Sequence, residues 1–271
     1  MIAATVPLRV LTLNVQSDAG DPRRTGLLNR ELRRLDPDLV AFQEVCYGSQ
    51  LGSLTGGTGL AHETHQSDAL DYLPPYADRY GGTAVATRWP HRVVEVADHR
   101  DDLHWWTLAV SVALPDLGDL LFIVPTTPWQ LDAAAARERQ AVEVTELDAR
   151  HRTALPTIIA GDLNAGPESA SIRYLSGLQA LDGRSVHYHD AWTVAGSGLG
   201  YTWSVDNPLA AAEIARVVGQ PGHRRRIDYV FVGPGRARIM AARLVGDRPV
   251  DGVWLSDHAG VLVDLEIGGG D

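Results

Sequence analysis

Apolar residues along this chain fall mostly into short runs that end on polar side chains. Residues 8–14 (LRVLTLN), Leu39–Val45 (LVAFQEV) and 120–124 (LLFIV) are each too short for a globular helix and read as buried strands. Residues 83–87, Trp105–Leu114, 227–232 (IDYVFV) and 260–265 (GVLVDL) predict further strands, and 157–160 leads as a strand into Gly161 and Asp162. The period changes over 22–35, where Leu27, Leu28, Leu32 and Leu35 share one face. That spacing predicts an amphipathic helix, with Pro22 in its first turn and Asp36 before Pro37 as its stop. A second helix is expected over 132–150, with Asp132 as its N-cap. Residues 182–225 show neither period and read as loop, and Gly268 to Gly270 as a frayed tail. Strands adjoin without a helix between them near 105–124 and 227–265, which predicts mixed rather than purely parallel sheets. No linker or repeat divides the chain, so a single α/β domain over residues 1–271 is expected.

A chain of 271 residues can bury a sizeable core without cross-links. Its one cysteine, Cys46, excludes an intrachain disulfide framework and any multi-cysteine zinc site, and reads as a small core hydrophobe. No leader pattern and no run long enough to span a bilayer is visible, so a cytoplasmic protein is expected. The formal net charge of −10 argues against a protein that grips a long nucleic acid. The run His223, Arg224, Arg225, Arg226 is the conspicuous basic patch.

Candidate chemistry gathers at the predicted strand ends: Asn14, Glu44, Asp162, Asn164, Asp228, Asp257 and His258. A hard divalent cation such as Mg²⁺ takes oxygen ligands, and a water attacking phosphorus needs a fixed base. Carboxylates, amides and a histidine at one sheet edge would supply both. Singly, each residue has a structural reading: Asn14 as a turn former, Asp162 as an Asx-turn, Asp228 as a surface partner of Arg226, and His258 as a satisfied histidine.

Taken in order, the segments L-T-L-N-V (11–15), F-Q-E-V (42–45), G-D-L-N-A (161–165), R-I-D-Y-V-F-V (226–232) and S-D-H (256–258) resemble the endonuclease/exonuclease/phosphatase superfamily. The resemblance runs from about residue 8 to 265. It implies a four-layer α/β sandwich, with two mixed sheets face to face and helices outside. It implies Mg²⁺-dependent hydrolysis of a phosphate ester, with Mn²⁺ as a possible substitute. Glu44 would be the principal metal ligand, with Asn14 and Asp257 in the metal site. Asp162 would orient or deprotonate the water, Asn164 and His258 would hold the phosphate, and Asp228 would orient His258. The segment 200–208 resembles a family loop of the form T-x-x-x-x-N-P that borders the site.

One position departs from the family pattern. Many members carry a second histidine after the middle strand, where this chain has Pro125-Thr126-Thr127-Pro128-Trp129. A threonine hydroxyl can hydrogen-bond a phosphate but cannot donate a proton at near-neutral pKa. Three readings stay open: reliance on the metal and a good leaving group, likeness to the abasic-site endonuclease branch with its V-P segment, or loss of hydrolysis with the fold kept for binding. Thr126, Thr127, Arg224, Arg225 and Trp203 are the candidate substrate contacts, and Trp105 and Trp129 are further candidates for stacking. A small phosphorylated molecule or a lipid headgroup is favoured as substrate over nucleic acid. His104 is read as a strand or loop residue rather than a replacement acid. H-E-T-H (62–65) lacks the i, i+4 spacing of the metalloprotease helix.

Overall fold

The computed structural model describes residues 5–74, 77–99, 105–220 and 222–268. In chain order the first elements are Thr5–Asn14 (β1), Arg24–Leu35 (α1), Leu39–Val45 (β2), Gln50–Thr55 (α2), His62–His65 (β3), Ala77–Tyr80 (α3), Gly82–Thr87 (β4), His91–His99 (β5), Trp105–Leu114 (β6) and Gly118–Thr126 (β7). There follow Ala134–His151 (α4), Ile158–Asp162 (β8), Ala170–Leu175 (α5), His189–Asp190 (β9), Ala191–Ala195 (α6), Trp203–Ser204 (β10), Pro208–Val217 (α7), Arg224–Arg225 (β11), Asp228–Val232 (β12), Ala237–Val245 (β13) and Gly260–Gly268 (β14).

Two six-stranded sheets form, in the orders β13-β14-β1-β2-β4-β3 and β5-β6-β7-β8-β12-β9. Both are mixed: β1 runs parallel to β2 and antiparallel to β14, and β7 runs parallel to β8, which is antiparallel to β12. The side chains explain the layering. In β1, Val10 joins a cluster between the sheets with Val110, Phe122, Ile158 and Val230, while Leu11 and Leu13 turn outward onto Leu28, Leu32 and Leu35 of α1. On the far side, Ile123, Ile159 and Phe231 pack against Val144 and Leu147 of α4. The central strands are therefore covered on both faces, which is why they read as continuous apolar runs. The result is the four-layer sandwich, helix–sheet–sheet–helix.

Several expectations need correction. The second helix starts at Ala134 and its N-cap position is Ala133, with no side-chain cap, so Asp132 does not cap it. The chain enters that helix through a turn in which Ala133 N donates to Gln130 O. The first helix starts at Arg24, leaving Pro22 outside it, and it ends as expected at Asp36 in a left-handed conformation. Residues 182–225 are not all loop: they hold α7, whose N-cap Asn207 accepts from Leu209 N and whose first residue is Pro208. Strands β5 and β13 escape sequence reading because they are edge strands with exposed charged residues among the apolar ones. Gly268 belongs to β14, paired with Thr5, and 269–270 lie outside the described residues.

Candidate active site

Sheet register brings the strand-end residues together. Asp162, last in β8, lies directly opposite Asp228, first in β12. Asn14 ends β1, and parallel pairing places it beside Gln43 of β2, next to Glu44. Pairing between β2 and β4 shifts register between Phe42 and Val45, and Glu44 sits in that irregularity with φ +57°. Asn164 has φ +47°. A left-handed backbone at non-glycine residues costs free energy, and such strain concentrates at functional sites. Gly81 packs behind Glu44 with φ +60°, where a Cβ would lie 2.4 Å from Val45 O. Only glycine satisfies both conditions.

Hydrogen bonds lock the group. Asn14 Nδ2 donates to Glu44 Oε1 (3.0 Å) and to Asp162 Oδ2 (3.2 Å). Asp162 Oδ1 accepts from Asn164 N at 3.0 Å, and Asn164 Nδ2 donates to Thr127 O at 3.1 Å. His258 Nδ1 lies 3.0 Å from Asp228 Oδ2, and its Nε2 lies 4.0 Å from Asp162 Oδ2. Because the carboxylate can only accept, Asp228 fixes the proton on Nδ1 and aims Nε2 at the cleft side of the site. Arg226 is not the partner of Asp228: it makes a buried ion pair with Asp190 at 2.8 Å.

Charge follows from this packing. Burial works against a protonated His258, but the carboxylates of Asp228, Asp162 and Asp257 outweigh it and hold the ring well above the ordinary histidine range. Burial, with Asp228 alongside, pushes Asp162 up to about 6. Burial and the nearby Asp257 push Glu44 up to about 8. Asp162, Asp228 and His258 lie close enough to hold an ion by distance alone. Their contacts, however, are those of an imidazolium flanked by two carboxylates, so a cationic partner already stands beside both. Glu44 and Asp257 are different. Two carboxyl groups share one wall, and among the described residues neither makes an ion pair. A divalent cation taking their oxygens, with the Asn14 amide beside them, would remove the repulsion that raises Glu44. The donor set fits such an ion.

A cleft of about 950 Å³ opens over Glu44, Asp162, Asn164, Asp257 and His258. Thr126 lines it and shares a 2.6 Å hydrogen bond with Thr83, while Thr127 is buried and its hydroxyl has no partner among the described residues. Arg225 reaches the cleft and donates to Asn164 O at 2.8 Å. Arg224 does not: it lies on the surface, bound to Asp206 at 2.6 Å. Trp203 lines the cleft but is only 7% exposed, packed on Ala210, Ile214 and Ile227. His104 and the Trp105 side chain lie outside the described residues. Cys46 is half-buried beyond β2 rather than in the core, and burial pushes its thiol up, away from a reactive thiolate.

Three residues that position the site escaped the sequence. Buried Arg24 donates to the carbonyls of Val15, Ala19 and Leu255, tying the loop after Asn14 to the segment before Asp257. Nothing distinguishes it in sequence from the other arginines of its helix. Thr202 Oγ1 accepts from the backbone N–H of Ile227 and Asp228. Asn207 caps α7 and donates Nδ2 to Ser256 O at 2.7 Å. The T-x-x-x-x-N-P spacing carried the last two, but their work as anchors shows only in three dimensions.

The model of the Endonuclease/Exonuclease/phosphatase family matches residues 11–258. No curated protein matches the sequence. Among solved structures, D. rerio TDP2 complexed with a single-strand DNA product is similar at 19% identity, with 96% of this chain and 98% of that chain covered and a TM-score of 0.73. The human Nocturnin catalytic domain is similar at 16% identity, covering 98% and 96%, with a TM-score of 0.70. An endonuclease/exonuclease/phosphatase from Beutenbergia cavernae shares 22% identity over 97% of this chain and 72% of its own, with a TM-score of 0.69. At these identities the likeness speaks to fold.

Proposed function

This chain belongs to the endonuclease/exonuclease/phosphatase family, and from that premise we propose that it hydrolyses a phosphate ester of a small molecule with the help of Mg²⁺. The observation that carries the reading is that Glu44 and Asp257, which make no ion pair among the described residues, line one cleft with Asp162 and with His258, whose ring Asp228 holds from behind. Glu44, Asp257 and Asn14 would hold the ion. A bound Mg²⁺ would supply charge stabilisation at the phosphoryl oxygens.

The chain's own groups do the rest. Asp162 is fixed by Asn14 and Asn164 and has its pKa near 6, so it is ionised at neutral pH and takes a proton from the attacking water. His258, kept protonated by Asp228, presents Nε2–H to a phosphoryl oxygen. Asn164 has an amide proton left over from its bond to Thr127 O and offers it to the same phosphate. Thr126 and Thr127 stand where many members carry a second histidine, and neither protonates a departing alkoxide. The site therefore suits an ester whose leaving group needs no strong acid.

Nucleic acid is the second reading, favoured by the TDP2 relative, whose structure holds a single-strand DNA product. The net charge of −10 weighs against it. Hydrolysis of bis-(p-nitrophenyl) phosphate and p-nitrophenyl phosphate, with and without Mg²⁺ or Mn²⁺, tests the proposal. Metal-dependent release that disappears in His258→Ala is expected. Release that is metal-independent, or unchanged in that variant, would sink it.

A further inference from the structure

The cleft extends well past the catalytic groups, and one stretch of its wall is apolar. Pro128, Trp129 and Leu131 line it from the segment after β7, and Leu209 and Val217 from α7. Trp129 and Leu131 are 42% and 45% exposed. Leaving such side chains partly in water forgoes hydrophobic stabilisation that a ligand would recover. Exposed apolar area continuous with a catalytic centre marks a ligand wall.

The wall is held in place. Buried Arg137 donates Nη1 to Pro128 O (2.8 Å) and Gln130 O (2.7 Å), and Nη2 to Leu131 O (3.4 Å). The start of the segment is tied to the reacting end, because Thr127 N donates to Asp162 O and Asn164 donates to Thr127 O. Trp129 and Leu131 are thus fixed relative to the phosphate position, and a ligand meets them without ordering a loop.

Charge limits what else fits. Among the described residues the arginines on the cleft wall are Arg79, Arg216 and Arg225. Arg216 pairs with Glu213, and Arg225 is engaged with Asn164 O. That is enough for one phosphate and too little for a row of them, which a single strand needs along its backbone.

We infer that the substrate is a phosphate ester with one phosphate and one large apolar group, and that Trp129 and Leu131 bind that group. The inference rests on the phosphoesterase reading for where the phosphate lies. An aromatic ring and an alkyl chain share this chemistry, and two probes separate them.

The test uses p-nitrophenyl phosphodiesters whose second substituent is methyl, 1-naphthyl or n-octyl, so the leaving group stays constant. The naphthyl or the octyl ester is expected to exceed the methyl ester in kcat/KM by about tenfold, the scale of one stacked or buried group. Trp129→Ala and Leu131→Ala should each shrink that ratio; both side chains are exposed, so the variants should fold, as melting temperature will show. A ratio near one, or a ratio indifferent to both substitutions, overturns the inference. If no ester is hydrolysed, the phosphoesterase reading fails by itself. The wall is then read by calorimetry of 1-naphthyl and n-octyl phosphate against methyl phosphate with Mg²⁺: tighter binding of either apolar ester, weakened in Trp129→Ala, upholds the inference, and equal binding refutes it. A short single-stranded oligonucleotide that binds more tightly than both apolar phosphates overturns it in favour of nucleic acid.

Discussion

Glu44→Gln separates the stability of this fold from its use of metal. In the metal-free protein Glu44 shares its wall with Asp257, and burial together with that charge pushes its pKa from 4.5 to about 8. The folded state therefore binds a proton that the unfolded chain has already released. Its stabilising effect is full below about 4.5 and disappears as pH rises through 8. A shift of this size corresponds to roughly 5 kcal/mol at about 1.4 kcal/mol per unit. Glu44 is half-buried and opens to cleft water, which screens its charge, so about 2 kcal/mol is the working expectation. Glutamine keeps an oxygen for the Asn14 amide and removes the charge. At pH 9 the metal-free variant should melt about 5 °C above the metal-free wild type, and at pH 4 the two should coincide. Mg²⁺ reverses the order. At a hundred times its dissociation constant it should add about 2.7 kcal/mol to the wild type and little to the variant. Thermal melts across pH, with chelator or with Mg²⁺, read both effects. A variant less stable than the metal-free wild type at pH 9, or one that still gains full stabilisation from Mg²⁺, would refute the assignment of Glu44.

Three further outcomes follow from the geometry. Turnover should rise with pH through an acid limb at or below about 6, since Asp162 must lose its proton and a cation beside it can only lower that value; a limb above 7 would count against Asp162 as the base. Asn207→Asp keeps the cap on Leu209 N but loses the donor to Ser256 O, whereas Asn207→Ala loses both. Asp should cut kcat and lower the melting temperature, because a buried carboxylate oxygen then faces the Ser256 carbonyl, and Ala should cost about 1 kcal/mol through the lost cap; equal kcat in Asp and wild type would remove Asn207 from the positioning of Asp257 and His258. Gly161→Ala would place a Cβ 2.1 Å from Pro125 O, forcing β7 away from β8 at a cost of about 3 kcal/mol. Gly166→Ala, with open space around it, should leave the urea midpoint almost unmoved by comparison.

How far the sequence reached depended on what each residue interacts with. Strands β1, β2, β6, β7 and β12 were legible because both of their faces are covered, which writes them as unbroken apolar runs. Strands β5 and β13 were not, because an edge strand is half solvent and its polar residues look like loop. Helix α7 was hidden by the glycines, prolines and short bridges around it, although Asn207 and Pro208 spelled its start. The chain order of the five motifs named the candidate site residues and the family.

The sequence by itself thus determined which carboxylates, amides and histidine this protein has at its strand ends, and the family whose pattern they follow. Only the tertiary structure decided how they are paired. Register across β8 and β12 sets Asp162 against Asp228 and lets His258 sit beside both as their cationic partner. The bulge in β2 turns Glu44 toward Asp257, and among the described residues neither makes an ion pair. The same distinction sorted the arginines: Arg225 faces the cleft, Arg224 faces Asp206, and Arg24 and Arg137 are buried beneath loops. Side-chain charge is written in the sequence, but its free energy depends on distance and burial, and those come from residues far away along the chain.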